Sequence, residues 1–395
     1  MYEEINDRQT TEVTVTVTKR IEVGIIGCGF VSTAHAAGYL EDERTEIVAV
    51  CDVRPEVLGA RAKEWGARRK YRDYGDLLKD EEVDAVDICV PPYLHAKITV
   101  EAAESGKHVL VEKPMCASLR QADEMISAAE KAGVCLMVGE SYVFTTTHMK
   151  ARELIDENAI GKPIFLNERM GLWLPRKLRP GSPSRDQLPF RADPMRSCGG
   201  LYRDAIDHFP HAMATARYLM QNSEINRIYA WAIPTKDRYG QEERVFISAT
   251  WQYKSADRYG TWIKLGKFDW PGGFSTVVGG TEGSIEVLGE GGGPAVSSIK
   301  PCPLVLYKEG KAYHYGVEGE PDLVWISEIN YYNKAHRNEV RHFIDCLVDG
   351  KKPRYSGGDG RIDLRLTLTA IRSAIEEKPL DPDSLPEDWT AYSQS

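Results

Sequence analysis

No stretch of this chain reaches the roughly 18 consecutive apolar residues that a membrane-spanning helix needs. It lacks any CxxC pair. The eight cysteines are scattered as Cys28, Cys51, Cys89, Cys116, Cys135, Cys198, Cys302 and Cys346, and Cys28, Cys51, Cys89 and Cys135 fall in or beside expected strands. Buried free thiols in a reducing compartment fit that distribution better than a disulfide framework. Positive charge is short: 50 Lys and Arg face 59 Asp and Glu, a formal net charge of −9. That balance argues against nucleic acid and against anionic membrane surfaces as partners. Residues 1–20 lack the basic start and apolar centre of a signal peptide, so the expected location is cytoplasmic. No internal repeat and no long low-complexity run is present.

The chain does have length and an ordinary soluble composition. Its 395 residues, 42% hydrophobic and 28% charged, are enough for two domains, each with its own core. Residues 11–18 alternate Thr and Val strictly and read as a strand outside the main fold, either a frayed tail or an arm on a neighbouring sheet edge. From residue 21 strands and helices alternate. Strands are expected at 21–27, 47–51, 85–90, 108–111 and 134–139. Helices are expected at 32–40, 55–65, 95–105 and 119–131. This order implies a parallel sheet with right-handed crossovers, covered on both faces. A helix near 147–158 follows. Residues 164–315 then carry alternating strands and Gly/Pro-rich turns, as an antiparallel sheet with one more exposed face would. Helical patterns return near 329–348 and 362–376.

Three stretches carry chemistry. Gly27-Cys28-Gly29-Phe30-Val31-Ser32 joins the first strand to the first helix. Glycines there let the backbone turn tightly and approach a pyrophosphate resting on the helix amides. Ser32 stands where the third glycine of GxGxxG would be. Asp52 ends the next strand, where an acid binds a ribose 2′-hydroxyl. It should repel a 2′-phosphate and so favours NAD over NADP, although Arg54 is placed to reach a phosphate.

The second stretch is Val109-Leu110-Val111-Glu112-Lys113-Pro114, an apolar strand stopped by proline with a carboxylate and an amine at its tip. A lysine on such a platform can point into a cleft. The third runs from Ser197 to His211. There helical spacing places Asp204, His208 and His211 on one face if it already holds at Asp204, and Pro210 is expected in the helix's first turn. These groups fit a capped helix start, a base with its orienting partner, or metal ligands.

In order along most of the chain, these stretches resemble the glucose–fructose oxidoreductase / inositol dehydrogenase / rhizopine-catabolism family, Gfo/Idh/MocA. The resemblance rests on Gly27-Cys28-Gly29 with His35, Val50-Cys51-Asp52, Pro91-Pro92-Tyr93-Leu94-His95 and Glu112-Lys113-Pro114. It continues through Ile160-Gly161-Lys162-Pro163, Gly199-Gly200 with Asp204 and His208, Gly280 to Ser284, and Ser356 to Arg361. It implies an α/β fold: an N-terminal Rossmann doubly wound parallel sheet and a C-terminal α/β domain with an open, mostly antiparallel sheet. The expected organisation is an extension over 1–20, an NAD(P)-binding domain over 21–143, and a substrate-binding and oligomerisation domain over 144–395. The resemblance also implies an NAD(P)-dependent oxidoreductase of sugars, polyols and their derivatives, with Lys113 as the family's catalytic lysine and Asp204 and His208 as substrate contacts.

Hydride transfer needs a group to take the hydroxyl proton, and His208 is the expected base, with Lys113 hydrogen-bonding the same oxygen and Asp204 orienting the imidazole. The opposite assignment, with Lys113 as base, stays open. Nucleotide contacts are expected from Gly27, Gly29, Phe30, Val31, Asp52, Arg54, Pro91, His95, Glu112, Lys113 and Glu140. Substrate contacts are expected from Lys113, Tyr142, Trp173, Arg191, Asp204 and His208. No metal is expected. The chain departs from the family pattern at Cys198, Ile206 and His211, and lacks an arginine within residues 140–144, which bears on the substrate. Seven of the eight tryptophans (173, 231, 251, 262, 270, 325 and 389) lie in the second domain, most of them expected to cover the sheet or an interface. A homo-oligomer is expected. The competing functions are an NAD-assisted glycoside-cleaving enzyme of the same fold and a non-catalytic sugar- or nucleotide-binding regulator.

Overall fold

The computed structural model describes residues 20–170, 193–236, 240–264, 274–290, 304–315 and 330–394. The alternating segment 11–18, Trp173, Arg191, Trp270, Trp325, Cys302 and the turn at 271–273 lie outside these residues.

β1 (Ile21–Ile26), α1 (Phe30–Leu40), β2 (Thr45–Cys51), α2 (Pro55–Trp65), β3 (Arg69–Tyr71), α3 (Tyr74–Leu78), β4 (Ala85–Ile88), α4 (His95–Glu104), β5 (His108–Glu112), α5 (Leu119–Ala132) and β6 (Leu136–Gly139) follow one another along the chain. The strands form one sheet in the order β3-β2-β1-β4-β5-β6, and every pairing is parallel. Ile25, Val48, Val86, Ile88, Val109, Leu110 and Val111 are fully buried. Such strands are apolar on both faces because crossover helices cover both. The order reverses between β1 and β4, which opens a crevice beyond the carboxyl ends of those strands. The short Arg-Lys-Tyr strand β3 and helix α3 were not anticipated, because three polar edge residues carry no periodic apolar signal.

α6 (Thr146–Asp156) leads into the second sheet, built from β7 (Pro163–Met170), β8 (Ile225–Lys236), β9 (Glu242–Tyr253), β10 (Tyr259–Lys264), β11 (Phe274–Gly280), β12 (Gly283–Glu290), β13 (Leu304–Lys308) and β14 (Lys311–Tyr315), with α7 (Arg203–Leu219) inserted before β8. The order is β14-β13-β12-β11-β7-β10-β9-β8. Only β7 and β10 pair in parallel; the other neighbours are antiparallel. α7 lies on this sheet through Phe209, which meets Phe246 and Trp262 edge-to-face. Trp251 is buried against Gly260, where a Cβ would lie 2.1 Å from the indole. These two tryptophans are therefore core residues, while Trp231, Ile233 and Tyr259 are exposed.

Pro210 is not in the first turn of its helix. It is the eighth residue of α7. An interior proline costs about 3 kcal/mol, and packing of the buried Ala205, Ile206, Phe209, Ala212, Met213 and Ala216 outweighs it. The last helices are α8 (Asn330–Asp349) and α9 (Gly357–Glu376). α9 begins before the expected residue 362, because Ser356 and Asp359 form a reciprocal capping box. Arg217 on α7 then donates to Asp359 Oδ1 at 2.9 Å and Asp363 Oδ1 at 3.0 Å, tying α7 to α9. α8 returns to the first sheet and lies on α1, where a Cβ on Gly38 would sit 2.8 Å from Val340.

Among the described residues no helix is long and apolar enough to cross a membrane. The seven described cysteines are free thiols. Burial pushes Cys28, Cys51, Cys135 and Cys198 up to about 12 and Cys346 to about 11. The thiolate is the reactive form, so iodoacetamide at about pH 8 should label these five only after unfolding. Peptide mapping that finds any of them modified stoichiometrically in the native protein contradicts this.

Candidate active site

The first half of the site is the turn from β1 into α1. Gly27 has φ +93°, and a Cβ there would meet Cys89 O at 2.5 Å, so only glycine fits. Gly29 differs. Its φ is −78°, and a Cβ on it would meet nothing within 4 Å. Neither backbone nor packing requires glycine at 29; a ligand approaching the backbone would. α1 has no side-chain cap and no acidic residue in its first turn. Its leading amides thus remain a place for an anion.

Asp52, at the end of β2, is almost buried. Its Oδ2 accepts from Cys28 N at 3.0 Å and Arg54 Nη2 at 2.9 Å, and its Oδ1 accepts from Arg54 N and Nε, each at 2.9 Å. Burial alone would raise this carboxyl; Arg54 outweighs it and holds the group below its ordinary value. Phe30, Val53 and Tyr93 follow the carboxyl ends of β1, β2 and β4 and are exposed. Exposed apolar side chains there suit an adenine or ribose face. Val53 and Tyr93 are not among the nucleotide contacts expected from the sequence. Pro91 and Val31 are half-buried at the same rim. The open Gly29, the uncapped helix and the acid on β2 together fit a dinucleotide.

The second half is chemical. Lys113 follows β5, and its bond to Pro114 is cis. Its side chain is 13% exposed. Nζ donates to Asp207 O at 2.7 Å and to Asp207 Oδ1 at 3.0 Å. That carbonyl belongs to the helical turn that Pro210 interrupts. His208 Nε2 lies 4.0 Å from the other Asp207 oxygen. The lysine and the imidazole therefore converge on one carboxylate, although 94 residues separate Lys113 from Asp207.

His208 Nδ1 donates to Asp204 O at 3.0 Å. With the proton on Nδ1, Nε2 carries the lone pair. The Asp204 carboxylate is 3.4 Å from Nδ1, and Lys264 Nζ grips both its oxygens at 2.5 and 2.7 Å. Burial pushes this carboxyl up, but Lys264 and then His208 outweigh it and hold the group well below the usual carboxylate range. Lys264 sits on β10 with Gly260 and Trp262, the alternate positions that face α7.

His211 does not join Asp204 and His208. Its Nδ1 donates to Glu140 Oε1 at 2.6 Å, and its ring stacks on Tyr142 at 4.2 Å. Burial keeps its imidazole below the ordinary value despite Glu140. Two departures from the family pattern, His211 and the missing arginine in 140–144, are thus one contact in space.

Three expected nucleotide contacts face elsewhere. His95 is fully buried between Pro114 O at 2.9 Å and Val90 O at 2.8 Å. Glu140 is fully buried on His211. Glu112 is almost buried beside His35, which outweighs burial and lowers its pKa. Each ends or follows an element at the crevice, so position in sequence suggested contact, but their side chains brace the walls. Cys198, which replaces a glycine, keeps the glycine-like φ of +62°. Gly199 after it leaves no room for a side chain, since a Cβ would lie 2.3 Å from Arg203 Cα. Asp207 and Lys264 were missed. Asp207 had a signal, since it stands beside His208 in the same motif. Lys264 had only the alternation with Trp262.

Residues 21–140 match the family model described as an oxidoreductase family with an NAD-binding Rossmann fold. Myo-inositol 2-dehydrogenase of Thermotoga maritima is 28% identical over 360 residues, covering 91% of this chain and 97% of that protein. The scyllo-inositol 2-dehydrogenase (NAD(+)) of Bacillus subtilis is 24% identical, covering 92% and 97%. A levoglucosan dehydrogenase solved with NADH and levoglucosan superposes with a TM-score of 0.75 at 21% identity, covering 92% and 99%. With the six-stranded Rossmann sheet and the mixed sheet behind it, these matches support a Gfo/Idh/MocA oxidoreductase, whose Rossmann family model covers residues 21–140.

Proposed function

We propose that this chain is an NAD-dependent dehydrogenase that oxidises a secondary hydroxyl of a cyclitol or sugar, or reduces the corresponding ketone. The observation that carries the reading is the convergence of Lys113 Nζ and His208 on Asp207, at the platform strand of a sheet whose first turn fits a dinucleotide. The relatives named for inositol and levoglucosan oxidation support the substrate class.

When bound, the nicotinamide accepts the hydride. The chain's own residues handle the proton. His208 Nε2, its tautomer set by Asp204 O, takes the hydroxyl proton as general base. Lys113 Nζ donates to the same oxygen and stabilises charge as it develops. Asp207 holds that ammonium in place. The paired Asp204 and Lys264 keep the imidazole from turning. The expected homo-oligomer belongs to the same proposal, and exposed Trp231, Ile233 and Tyr259 are apolar side chains it would cover.

Asp52 favours NAD, but Arg54 occupies both of its oxygens. A ribose hydroxyl binds Asp52 only when Arg54 swings aside, which its exposure permits. Wild type should therefore use NAD with measurable NADP activity. Arg54→Ala should widen the NAD preference about tenfold, the loss of one charge-assisted contact to a 2′-phosphate. The test is absorbance of the reduced cofactor with myo-inositol, scyllo-inositol, levoglucosan and common aldoses, with NAD and NADP separately. Reduction of NAD by one of these polyols is expected. No reduction across the panel, or a wild-type preference for NADP, would overturn the reading.

A further inference from the structure

Glu112 and Lys113 are adjacent and point to opposite sides of the strand end. Lys113 turns to α7 and Glu112 turns to α1 and α8. There Glu112 meets His35 on α1 and His336 on α8, and Glu339 on α8 reaches the same His35, four side chains from three elements. His35 and Glu339 are fully buried, His336 is 2% exposed and Glu112 is 8% exposed. His35 Nε2 lies 3.2 Å from Glu112 Oε1 and 3.7 Å from Glu339 Oε1, and His336 Nε2 lies 3.9 Å from Glu112 Oε1. The ligand atoms of His35, Glu112 and His336 all fall within 4.8 Å of one another. His336 and Glu339 are three residues apart and so share a helix face.

We propose that these four residues bind one divalent transition-metal cation, zinc being the best match to the donor set. Three observations point to a ligand. First, both carboxylate oxygens of Glu339 lack a hydrogen bond among the described residues. A buried carboxylate in that state costs several kcal/mol unless something compensates it. Second, His35 Nδ1 donates to Asp87 Oδ2 at 2.9 Å, and Cys89 Sγ donates to Asp87 Oδ1 at 3.2 Å. A carboxylate behind one ring nitrogen is how metal-bound histidines are held, with the lone pair on the other nitrogen. Third, that other nitrogen faces Glu112 Oε1 at 3.2 Å without making a hydrogen bond. The ring nitrogen and the carboxylate oxygen face each other across a gap that a bound cation would fill.

The spacing fits. Zinc with bonds of about 2.0–2.2 Å to nitrogen and oxygen sets its tetrahedral ligands roughly 3.3 Å apart. Two carboxylates neutralise a divalent ion and two neutral imidazoles complete four ligands. Imidazole donors exclude magnesium and calcium as the natural occupant. The ion would join α1, the end of β5 and α8 behind the Lys113 turn, and so serve as a structural clamp apart from the hydroxyl chemistry.

The test is elemental analysis of the full-length protein purified without chelator from zinc-supplemented cells. About one zinc per chain is expected, and its removal by a strong chelator should lower Tm reversibly. Glu339→Gln and His336→Gln should each cut the zinc content about tenfold, while His208→Ala should retain it. Cobalt added to stripped wild type should give the visible absorption of a tetrahedral site. No bound zinc together with no cobalt spectrum would overturn the proposal. Full retention of zinc by folded Glu339→Gln and His336→Gln, or its loss from His208→Ala, would also overturn it.

Discussion

Lys113→Ala should lower kcat by about 10²–10⁴-fold, the range for removing a positioned proton-transfer or charge-stabilising donor. Lys113 supplies the only N–H that the described geometry brings from the platform strand to the Asp207–His208 turn. Its loss leaves the substrate oxygen without a donor as charge builds. KM for the nucleotide should change little, because the β1–α1 turn and Asp52 are untouched. Part of the effect is indirect, since Asp207 also loses its contact with the lysine. Asp207→Asn separates the two contributions: it keeps the lysine and weakens only its anchor, so a loss nearer tenfold is expected. Steady-state kinetics with a responsive polyol, beside a melting curve for each variant, make the measurement. Full turnover by a folded Lys113→Ala protein would sink both assignments of the base.

The second large effect concerns stability. Lys264→Met should destabilise the fold by about 3–5 kcal/mol at neutral pH, because it strands a buried carboxylate. Lys264 is 6% exposed at the side chain and holds both oxygens of Asp204. In wild type the folded carboxyl lies below its unfolded value. Its contribution is therefore present above about pH 4 and is lost as pH falls through the folded value. In the variant, burial acts unopposed by the lysine and pushes the folded carboxyl upward. The penalty is then greatest at neutral pH and shrinks as acid protonates the group. Melting temperatures of the two proteins should approach each other between about pH 7 and pH 4. A constant gap across that range would show that lost packing, and not the stranded charge, causes the loss. Asp204→Asn in the Lys264→Met background should restore much of the deficit.

The Rossmann half was readable because its strands are apolar on both faces and its turns carry glycine at defined places. Lys113, Asp204 and His208 were readable for a similar reason: each stands in a motif whose local spacing already implies a platform or a helix face. Partners across the fold were not. Lys264 meets Asp204 only after β10 pairs with β7 and β9, and nothing within either segment marks the other. Asp207 carries no local mark of its partner, because Lys113 reaches it from the first sheet. His95, Glu112 and Glu140 show the converse. Their positions at the ends of elements suggested exposure to a nucleotide, while burial is decided by what packs behind them. Pro210 was placed too early because a local rule about proline ignored the apolar face around it.

The seating of α8 on α1 has a consequence for synthesis. Translation makes the nucleotide-binding half first, yet the groove at Gly38 is filled by Val340, which leaves the ribosome some three hundred codons later. A nascent or prematurely terminated polypeptide would display that unfilled groove, with His35 and Asp87 less shielded, for quality-control machinery to recognise.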